Sequence, residues 1–223
     1  MAHVRHWIVD YIYMLRGQAT AFLYRQPPKH YLGYVIENKV PVILIPGILE
    51  KWGFLKNLAD KISLDGHPVY IIPKLGYNLK DIPTSAKIVR DLIEEKNIVK
   101  AVIIAHSKGG LIGKYLLSFF NADGRIMRMI SIATPYSGAS LAQYLPGKSA
   151  KDFKSESEIL KQLQSHQEVH KSIISVSPVF DNHVWESSAL EGATNITIDE
   201  KGHHKILYNK KLVTLILKTL DRF

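Results

Sequence analysis

The chain has 223 residues, of which 46% are hydrophobic, and these values predict one α/β domain with a sizeable buried core. The formal net charge of +9 favours anionic partners. The lysines and arginines are scattered, however, and no basic stripe with interleaved aromatic residues predicts a nucleic-acid site. The absence of cysteine excludes disulfide frameworks and cysteine-based metal or redox chemistry, and leaves the cytoplasm as the default compartment.

Apolar residues recur at helical spacing over residues 4–24 and predict an amphipathic helix. Its most apolar part, residues 7–15, is too short to span a bilayer. Asp10 lies in the middle of this part, where a signal peptide would have an uninterrupted apolar region. Arginines and aromatic residues around the helix also suit the plane of a membrane interface. Docking on the chain's own domain and peripheral contact with a membrane are therefore both expectations for this segment.

Beyond Pro27 and Pro28, which end this helix, short apolar runs alternate with amphipathic stretches. This alternation predicts a mostly parallel sheet with crossover helices on both faces. We expect residues 1–29 to form the helix and a linker, and residues 30–223 to form a single α/β domain. The six predicted strands are residues 42–45, 69–72, 101–104, 127–133, 173–176 and 195–198.

Residues 135–171 interrupt this alternation with a stretch that contains glycine, serine, lysine and a predicted helix from Glu156 to Leu163. So long an excursion in a compact domain is usually functional. His166 and His170 stand four residues apart within it, but the glutamate between them is not placed as in the zinc motif His-Glu-x-x-His. We therefore predict no metal site, and we expect no cofactor.

The segment Ala105-His106-Ser107-Lys108-Gly109 lies between a predicted strand and a predicted helix. A serine in so sharp a turn takes a strained backbone conformation that projects its hydroxyl above the sheet. The residues two before and two after it must be small, and Ala105 and Gly109 meet this requirement. Such patterns also arise by chance, so a packing turn in which Ser107 caps the helix is the alternative. Ser107 is the predicted nucleophile.

A serine nucleophile needs a base to take its proton and a carboxylate to orient that base. Asp181 and His203 each follow a predicted strand, at the edge of the sheet where Ser107 also lies. His204 is the alternative base, because one residue of loop register decides which imidazole faces the serine. Asp199 is the rival acid, although its position four residues before the histidine is more typical of a loop cap. Ser107, His203 and Asp181 form the predicted triad.

Negative charge develops on the substrate's carbonyl oxygen during acyl transfer, and backbone amides aimed at that oxygen lower the barrier. Lys108 follows the predicted nucleophile directly, and Gly47 and Ile48 follow the first predicted strand at the same edge of the sheet. The amides of Ile48 and Lys108 are the predicted donors, with Gly47 leaving the backbone room to turn. His106 adjoins the nucleophile and is predicted to pack in support of the turn.

These motifs resemble those of the small bacterial lipases and esterases of the α/β-hydrolase superfamily, over residues 41–220. The resemblance rests on Pro46-Gly47-Ile48, on the turn around Ser107, on residues 133–138 after the next strand, and on two further segments, Asp181-Asn182-His183-Val184 and Gly202-His203-His204-Lys205-Ile206-Leu207. It implies an α/β-hydrolase fold and favours His203 over His204 as the base.

The resemblance also implies that residues 137–163, with Leu160 and Leu163 near their end, lie over the site as a partial lid, and hence that the acyl group is lipid-like. Two residues depart from the family's pattern. Pro46 replaces the usual histidine beside the oxyanion loop, and Lys108 replaces an apolar or neutral residue. We expect the Lys108 side chain to project into solvent near the mouth of the site.

The predicted function is hydrolysis of lipid-like carboxylic esters through an acyl-enzyme intermediate on Ser107. A phospholipase, a thioesterase or an acyltransferase would use the same triad, because the triad leaves the leaving group open. A non-catalytic, membrane-associated binding protein on a hydrolase scaffold is the alternative from another class. The expected partners are an ester or lipid-like small molecule and, through residues 4–24, the membrane periphery.

Overall fold

A computed structural model describes residues 2–141 and 149–223 and contains one six-stranded sheet. The strand order is β2-β1-β3-β4-β5-β6, and every neighbouring pair is parallel. Parallel pairing places the carboxyl ends of all strands at one edge, where loops with polar side chains collect. The strands are β1 (Val42–Ile45), β2 (Val69–Tyr70), β3 (Ala101–His106), β4 (Ile126–Ile132), β5 (Ile173–Phe180) and β6 (Thr194–Lys201).

Helices cover both faces of this sheet, as crossover connections between parallel strands require. Residues of β3 alternate between the two apolar cores: Ile103 packs with α4, α5 and α7 on one face, and Ile104 packs with α3 and α8 on the other. The sheet is therefore buried on both faces at its centre. The helices are α1 (Ala2–Leu23), α2 (His30–Gly33), α3 (Lys56–Leu64), α4 (Ile82–Glu95), α5 (Lys108–Phe119), α6 (Ser149–Asp152), α7 (Glu158–Ser165) and α8 (Lys210–Leu220).

All six predicted strands appear in the structure, and the ends of all but β1 differ from the prediction. β1 has the predicted bounds, whereas β2 stops two residues early, because Pro73 begins a tight 3₁₀ turn directly after Ile72. At the other side of the sheet, β5 and β6 run further toward the site than predicted, to Phe180 and Lys201. The fold class and the mostly parallel sheet are confirmed.

The excursion over residues 135–171 includes residues 142–148, which lie outside the described part of the chain. Its predicted helix begins at Glu158 and not at Glu156, because Ser157 caps it by accepting a hydrogen bond from the Leu160 amide at 3.3 Å. Leu160 and Leu163 are buried against the main core. They pack α7 against this core, and the interpretation of residues 137–163 as a partial lid stays a prediction.

Helix α1 docks on the domain through close backbone contacts. A Cβ at Gly17 would meet the Phe54 ring at 2.6 Å, and a Cβ at Gly53 would meet the backbone of Ala21 at 2.6 Å. Only glycine allows approaches this close at both positions. One face of α1 is thus packed tightly on the 3₁₀ turn Trp52–Leu55. Among the described residues, no helix is long and apolar enough to cross a membrane.

Candidate active site

Ser107 occupies a strained turn between β3 and α5. Its backbone has φ 51° and ψ −121°, a left-handed conformation that non-glycine residues rarely adopt. The turn is crowded: a Cβ at Gly109 would lie 2.3 Å from the carbonyl oxygen of Ile45, and Ala105 is fully buried. These two small residues therefore have the steric role that the sequence pattern predicts. The serine side chain lines the largely apolar cavity described below.

Asp181 and His203 form a buried pair at the carboxyl edge of β5 and β6. His203 Nδ1 lies 3.1 Å from Asp181 Oδ1 and 2.9 Å from Oδ2. The carboxylate is itself fixed, because its Oδ1 accepts the backbone amides of His183 and Val184 at 2.8 and 2.9 Å. The backbone amide of His203 donates to Asn182 Oδ1 at 3.0 Å. The imidazole is thereby held with Nδ1 on the carboxylate and Nε2 on the opposite side of the ring.

Burial and charge oppose each other in this pair. Burial lowers the pKa of His203, but the charge of Asp181 and its hydrogen bond outweigh burial, so the pKa lies above its usual value. Burial raises the pKa of Asp181, and the charge and hydrogen bond of His203 more than offset it, so this pKa lies below its usual value. The site therefore favours an ionised carboxylate beside an imidazole that readily accepts a proton.

His204, the alternative base, is engaged by a different carboxylate. Its Nδ1 lies 3.0 Å from Asp10 Oδ2, and its backbone amide donates to Asp10 Oδ1 at 2.7 Å. On the other side of the ring, Nε2 lies 3.6 Å from Glu50 Oε1. Burial lowers the pKa of His204. Both of its ring nitrogens thus face acids other than Asp181, whereas His203 is the histidine that pairs with the predicted acid.

Glu50 and His106 form a second buried pair beside the turn that contains Ser107. His106 Nδ1 lies 2.9 Å from Glu50 Oε2, and His106 Nε2 lies 3.0 Å from the backbone carbonyl of His203. Glu50 Oε2 also accepts the Gly47 amide at 2.6 Å. Burial raises the pKa of Glu50, but the charge and hydrogen bond of His106 more than offset this effect. The pKa of Glu50 therefore lies below its usual value. His106 therefore ties the predicted oxyanion loop to the turn that carries His203.

Ser107 and the histidines line one cavity, which is formed by helix α1 and by the segments that follow β1, β3, β4, β5 and β6. His183 stacks on His203 with ring centroids 4.9 Å apart and planes 11° apart. Most of the other lining side chains are apolar. The cavity is lined by Met14, Gln18, Ile48, Leu49, Glu50, Phe54, Ser107, Pro135, Ala139, Leu141, Phe153, His183, Val184, His203 and His204.

Of the two predicted oxyanion donors, Ile48 lines this cavity, and Lys108 directly follows Ser107 in the chain. Leu49 takes φ 60° and donates its amide to the carbonyl of Tyr77 at 2.8 Å, whereas the described residues offer no acceptor to the Ile48 amide. A Cβ at Gly47 would lie 3.1 Å from Ser107 Cβ, so this loop passes directly beside Ser107. Lys108 begins α5, at the positive end of the helix dipole.

The prediction that the Lys108 side chain projects into solvent is wrong. The side chain is fully buried, and its Nζ donates to the carbonyl oxygens of Asn78, at 2.9 Å, and Lys80. Burial lowers its pKa to about 8. The side chain therefore braces the neighbouring loop from beneath and places no cation at the mouth of the cavity.

The other candidate residues, Asp199, His166 and His170, lie at separate places in the structure. Asp199 is an exposed residue of β6, and Asp181 is the acid that lies within hydrogen-bond distance of His203. His166 and His170 lie on no common α-helix: His166 packs on Phe119, and His170 Nδ1 lies 2.6 Å from the Glu191 carbonyl oxygen. These two histidines form no joint site.

Metal-ligand geometry occurs at one place beside the cavity. Asp10, His183 and His204 each offer an atom within 4.8 Å of the others. Two of these residues are already bound to each other, however, and Asp10 Oδ1 also accepts the Lys205 amide at 2.9 Å. The carboxylate thus has hydrogen-bond partners of its own without any ion.

Sequence reasoning missed Asp10 and Glu50 as parts of the site. Asp10 is the sole acid in a 22-residue helix and is fully buried, and Glu50 follows Pro46 at the end of the first strand. A lone carboxylate on an apolar helix face is costly to bury without a partner. That anomaly is the signal that points to a histidine or amide partner, although it does not say which one.

No protein-family model matches the sequence, and neither does any curated protein. Solved structures do resemble the fold. A mature lipase of Bacillus licheniformis superposes with a TM-score of 0.67 at 15% identity, over 85% of this chain and 95% of the lipase. A monoacylglycerol lipase of Paleococcus ferrophilus gives 0.62 at 15% identity, over 81% and 95% of the two chains.

An α/β hydrolase from a lagoon-sediment metagenome gives a TM-score of 0.59 at 15% identity, over 83% of this chain and 92% of that enzyme. The chain therefore has the α/β-hydrolase fold. Superpositions at this low sequence identity establish the architecture alone. The chemistry has to be argued from the site itself.

Proposed function

We propose that this chain is a serine hydrolase that cleaves carboxylic esters through an acyl-enzyme intermediate. The observation that carries the proposal is the buried Asp181–His203 pair, whose histidine lines the same cavity as the strained Ser107. In this proposal the main hydrolase domain comprises residues 30–223, preceded by a helix and linker of residues 1–29. Ester hydrolysis fits the lipase and esterase neighbours as well, although their low identity lends support at the level of fold alone.

In the first half of the reaction, Ser107 Oγ attacks the ester carbonyl carbon while His203 Nε2 takes the hydroxyl proton. The ionised Asp181 stabilises the imidazolium that forms. The amides of Ile48 and Lys108 are assigned to the negative oxygen of the tetrahedral intermediate. The intermediate collapses as the alkoxide leaves with the proton from His203, and an acyl-Ser107 ester remains.

In the second half, His203 takes a proton from water as that water attacks the acyl carbon. The second tetrahedral intermediate collapses with return of the proton to Ser107, and the carboxylic acid leaves. Among the described residues, the apolar side chains around the cavity, such as Ile48, Phe153 and Val184, favour an acyl chain over a charged group. The cycle consumes one water and needs no cofactor.

A fluorophosphonate probe tests the proposal, because it labels serines that a neighbouring base activates. We expect stoichiometric labelling at Ser107, and neither labelling nor esterase activity in Ser107→Ala. Ser137→Ala is the matched control, since Ser137 is exposed on the loop after β4. Absence of labelling in the parent chain would favour the non-catalytic binding protein.

The leaving group is tested separately, with matched esters, thioesters, amides and phospholipids, and with an alcohol offered as acyl acceptor. We expect carboxylic esters to give the highest kcat/KM. A preference for thioesters, for phospholipids or for transfer to the alcohol would retain the triad and reassign the reaction to a thioesterase, a phospholipase or an acyltransferase.

A further inference from the structure

Helix α1 carries apolar side chains on the face that points away from the domain as well as on the face that docks. The outer residues follow each other at spacings of four, four, three and seven, which places them in one stripe along the helix. Their side chains remain 58–72% exposed although the helix is packed on the domain. This outer stripe consists of Val4, Ile8, Ile12, Leu15 and Phe22.

A continuous apolar stripe of this kind rarely remains exposed to water on a protein surface. Most of the exposed large apolar side chains in the described part of the chain lie between residues 4 and 36. The apolar surface is therefore concentrated at α1 and the segment that follows it. The inner face, in contrast, is occupied by the contacts of Gly17 with Phe54 and of Ala21 with Gly53.

The charges around the outer stripe are all of one sign. Between residues 2 and 36 the sequence contains one carboxylate, Asp10, and that group is fully buried against His204. Basic side chains on the same segment are exposed, and within residues 2–141 and 149–223 they form no ion pair. They are Arg5, Arg16, Arg25 and Lys29. Arg16 and Arg25 stack on the rings of Tyr208 and Phe22, which leaves their positive charges without a neutralising carboxylate. An apolar stripe flanked by such cations matches an anionic lipid interface.

The same helix borders the catalytic cavity. Met14 and Gln18 line the cavity, and Tyr11 packs on His183 with ring centroids 5.8 Å apart. Gln18 also lines a second groove next to it, which contains Arg25 and Lys51 and no carboxylate. The outer stripe, the cationic groove and the mouth of the cavity therefore lie side by side along α1.

We propose that the outer stripe of α1 docks on an anionic lipid bilayer surface and holds the mouth of the catalytic cavity against it. This inference rests on the proposed function, because it names the lipid surface as the source of the ester. A second copy of the chain suits the stripe less well, since it carries the same net charge of +9 and would bring like cations together. Arg25 and Lys51 then face the headgroup phosphates while acyl chains reach Ser107.

Vesicle binding tests the docking surface without any dependence on catalysis. The Ser107→Ala chain is mixed with vesicles of phosphatidylcholine, with and without phosphatidylglycerol, and the bound fraction is measured by flotation. We expect binding to the anionic vesicles that weakens as salt is added. Ile12→Glu with Leu15→Glu is expected to weaken it by at least about tenfold, because two apolar contacts are replaced by repelled charges.

Leu64→Glu with Val99→Glu is the matched control, because both residues are exposed apolar positions outside α1. We expect this control to bind vesicles like the parent. In the chain that retains Ser107, the variant with Ile12→Glu and Leu15→Glu, called the α1 pair, is expected to hydrolyse a water-soluble short ester at the parent's rate. This rate also verifies that the variant is folded.

Three outcomes would overturn the docking surface: unchanged vesicle binding by the α1 pair, equal loss in the control pair, or a parent dimer that the α1 pair dissociates while no form binds vesicles. Failure of the proposed function is distinguishable from all of them. It would appear as an unlabelled, inactive Ser107 in a chain that still binds anionic vesicles.

Discussion

Asp10 and His204 are 194 residues apart in sequence and form two contacts that join helix α1 to the carboxyl edge of the sheet. The carboxylate accepts the amides of His204 and Lys205 and pairs with the His204 ring at 3.0 Å. Because His203 lies between Gly202 and this anchored pair in the chain, α1 fixes the turn that presents the proposed base. The helix that precedes the main domain is thus built into the site.

Asp10→Asn is expected to lower kcat on a soluble ester by roughly 10- to 100-fold, because loss of the anchor lets the His203 turn shift and small displacements are costly in catalysis. The charge of Asp10 also contributes to the raised pKa of His203. The acid limb of the kcat/KM profile should therefore move to lower pH, a shift that lost packing alone does not produce.

Asp199→Asn is the matched control for this variant, since Asp199 is an exposed carboxylate on β6 four residues before His203 in the sequence. We expect its rate and pH profile to equal those of the parent. Equal effects in the two variants, or a parent-like Asp10→Asn, would refute the positioning role of Asp10.

The pH dependence of the parent follows from the direction of the His203 shift. Only the neutral imidazole accepts the serine proton, so kcat/KM falls as pH drops through the pKa of the free enzyme's base. Because Asp181 raises that pKa above its ordinary value of 6.5, the acid limb should have its midpoint above pH 6.5. A pH series on a soluble ester at constant ionic strength measures it.

Asp181→Asn removes the main cause of the raised pKa and leaves the burial that opposes it. The midpoint should then fall below that of the parent, and kcat should drop by about 10⁴-fold, because the imidazole loses the partner that sets its tautomer. An unchanged midpoint in this variant would contradict the pairing of Asp181 with His203.

Glu50→Gln is expected to destabilise the fold by about 1–3 kcal/mol, because it removes the buried carboxylate that accepts the Gly47 amide and contacts His106 Nδ1. Its lowered pKa means that this contribution is complete above the ordinary pKa of a glutamate and is lost as pH falls through the folded-state value. Urea denaturation at neutral pH and in acid measures both effects.

Glu95→Gln serves as the control for Glu50, because Glu95 pairs with Lys74 at 3.3 Å on the surface. Its stability should change little, since solvent screens an exposed pair. A Glu50→Gln chain as stable as Glu95→Gln would show that the Glu50–His106 contact adds nothing to the fold.

Gly202→Ala tests the fit between the His203 turn and α1. A Cβ at Gly202 would lie 2.5 Å from Asp10 Oδ1, and the backbone has φ +132°. Gly124 also has a positive φ, +71°, but a Cβ there would meet nothing within 4 Å. We expect about 1 kcal/mol of destabilisation for Gly124→Ala. Gly202→Ala should lose more stability and most of its esterase rate, and equal losses would contradict the close packing.

The sequence determined the architecture because periodicity and turn chemistry are local. The bounds of β1 and the placement of small residues around Ser107 follow from which positions are apolar or small, as does the position of His203 after a strand. The structure brings Asp181 and His203 within hydrogen-bond distance, as the order of the strands implies. Their catalytic roles remain predictions until the probe and the variants are measured.

Tertiary structure decided the partners of buried charges, because those partners come from elements that are distant in sequence. Asp10 meets His204, Glu50 meets His106, and the Lys108 ammonium meets the backbone carbonyl of Asn78. Local pattern shows that such a group has to be paired if it is buried, but it cannot show burial or choose the partner. The free energy of desolvation is set by which helix packs where, and only the assembled fold specifies that.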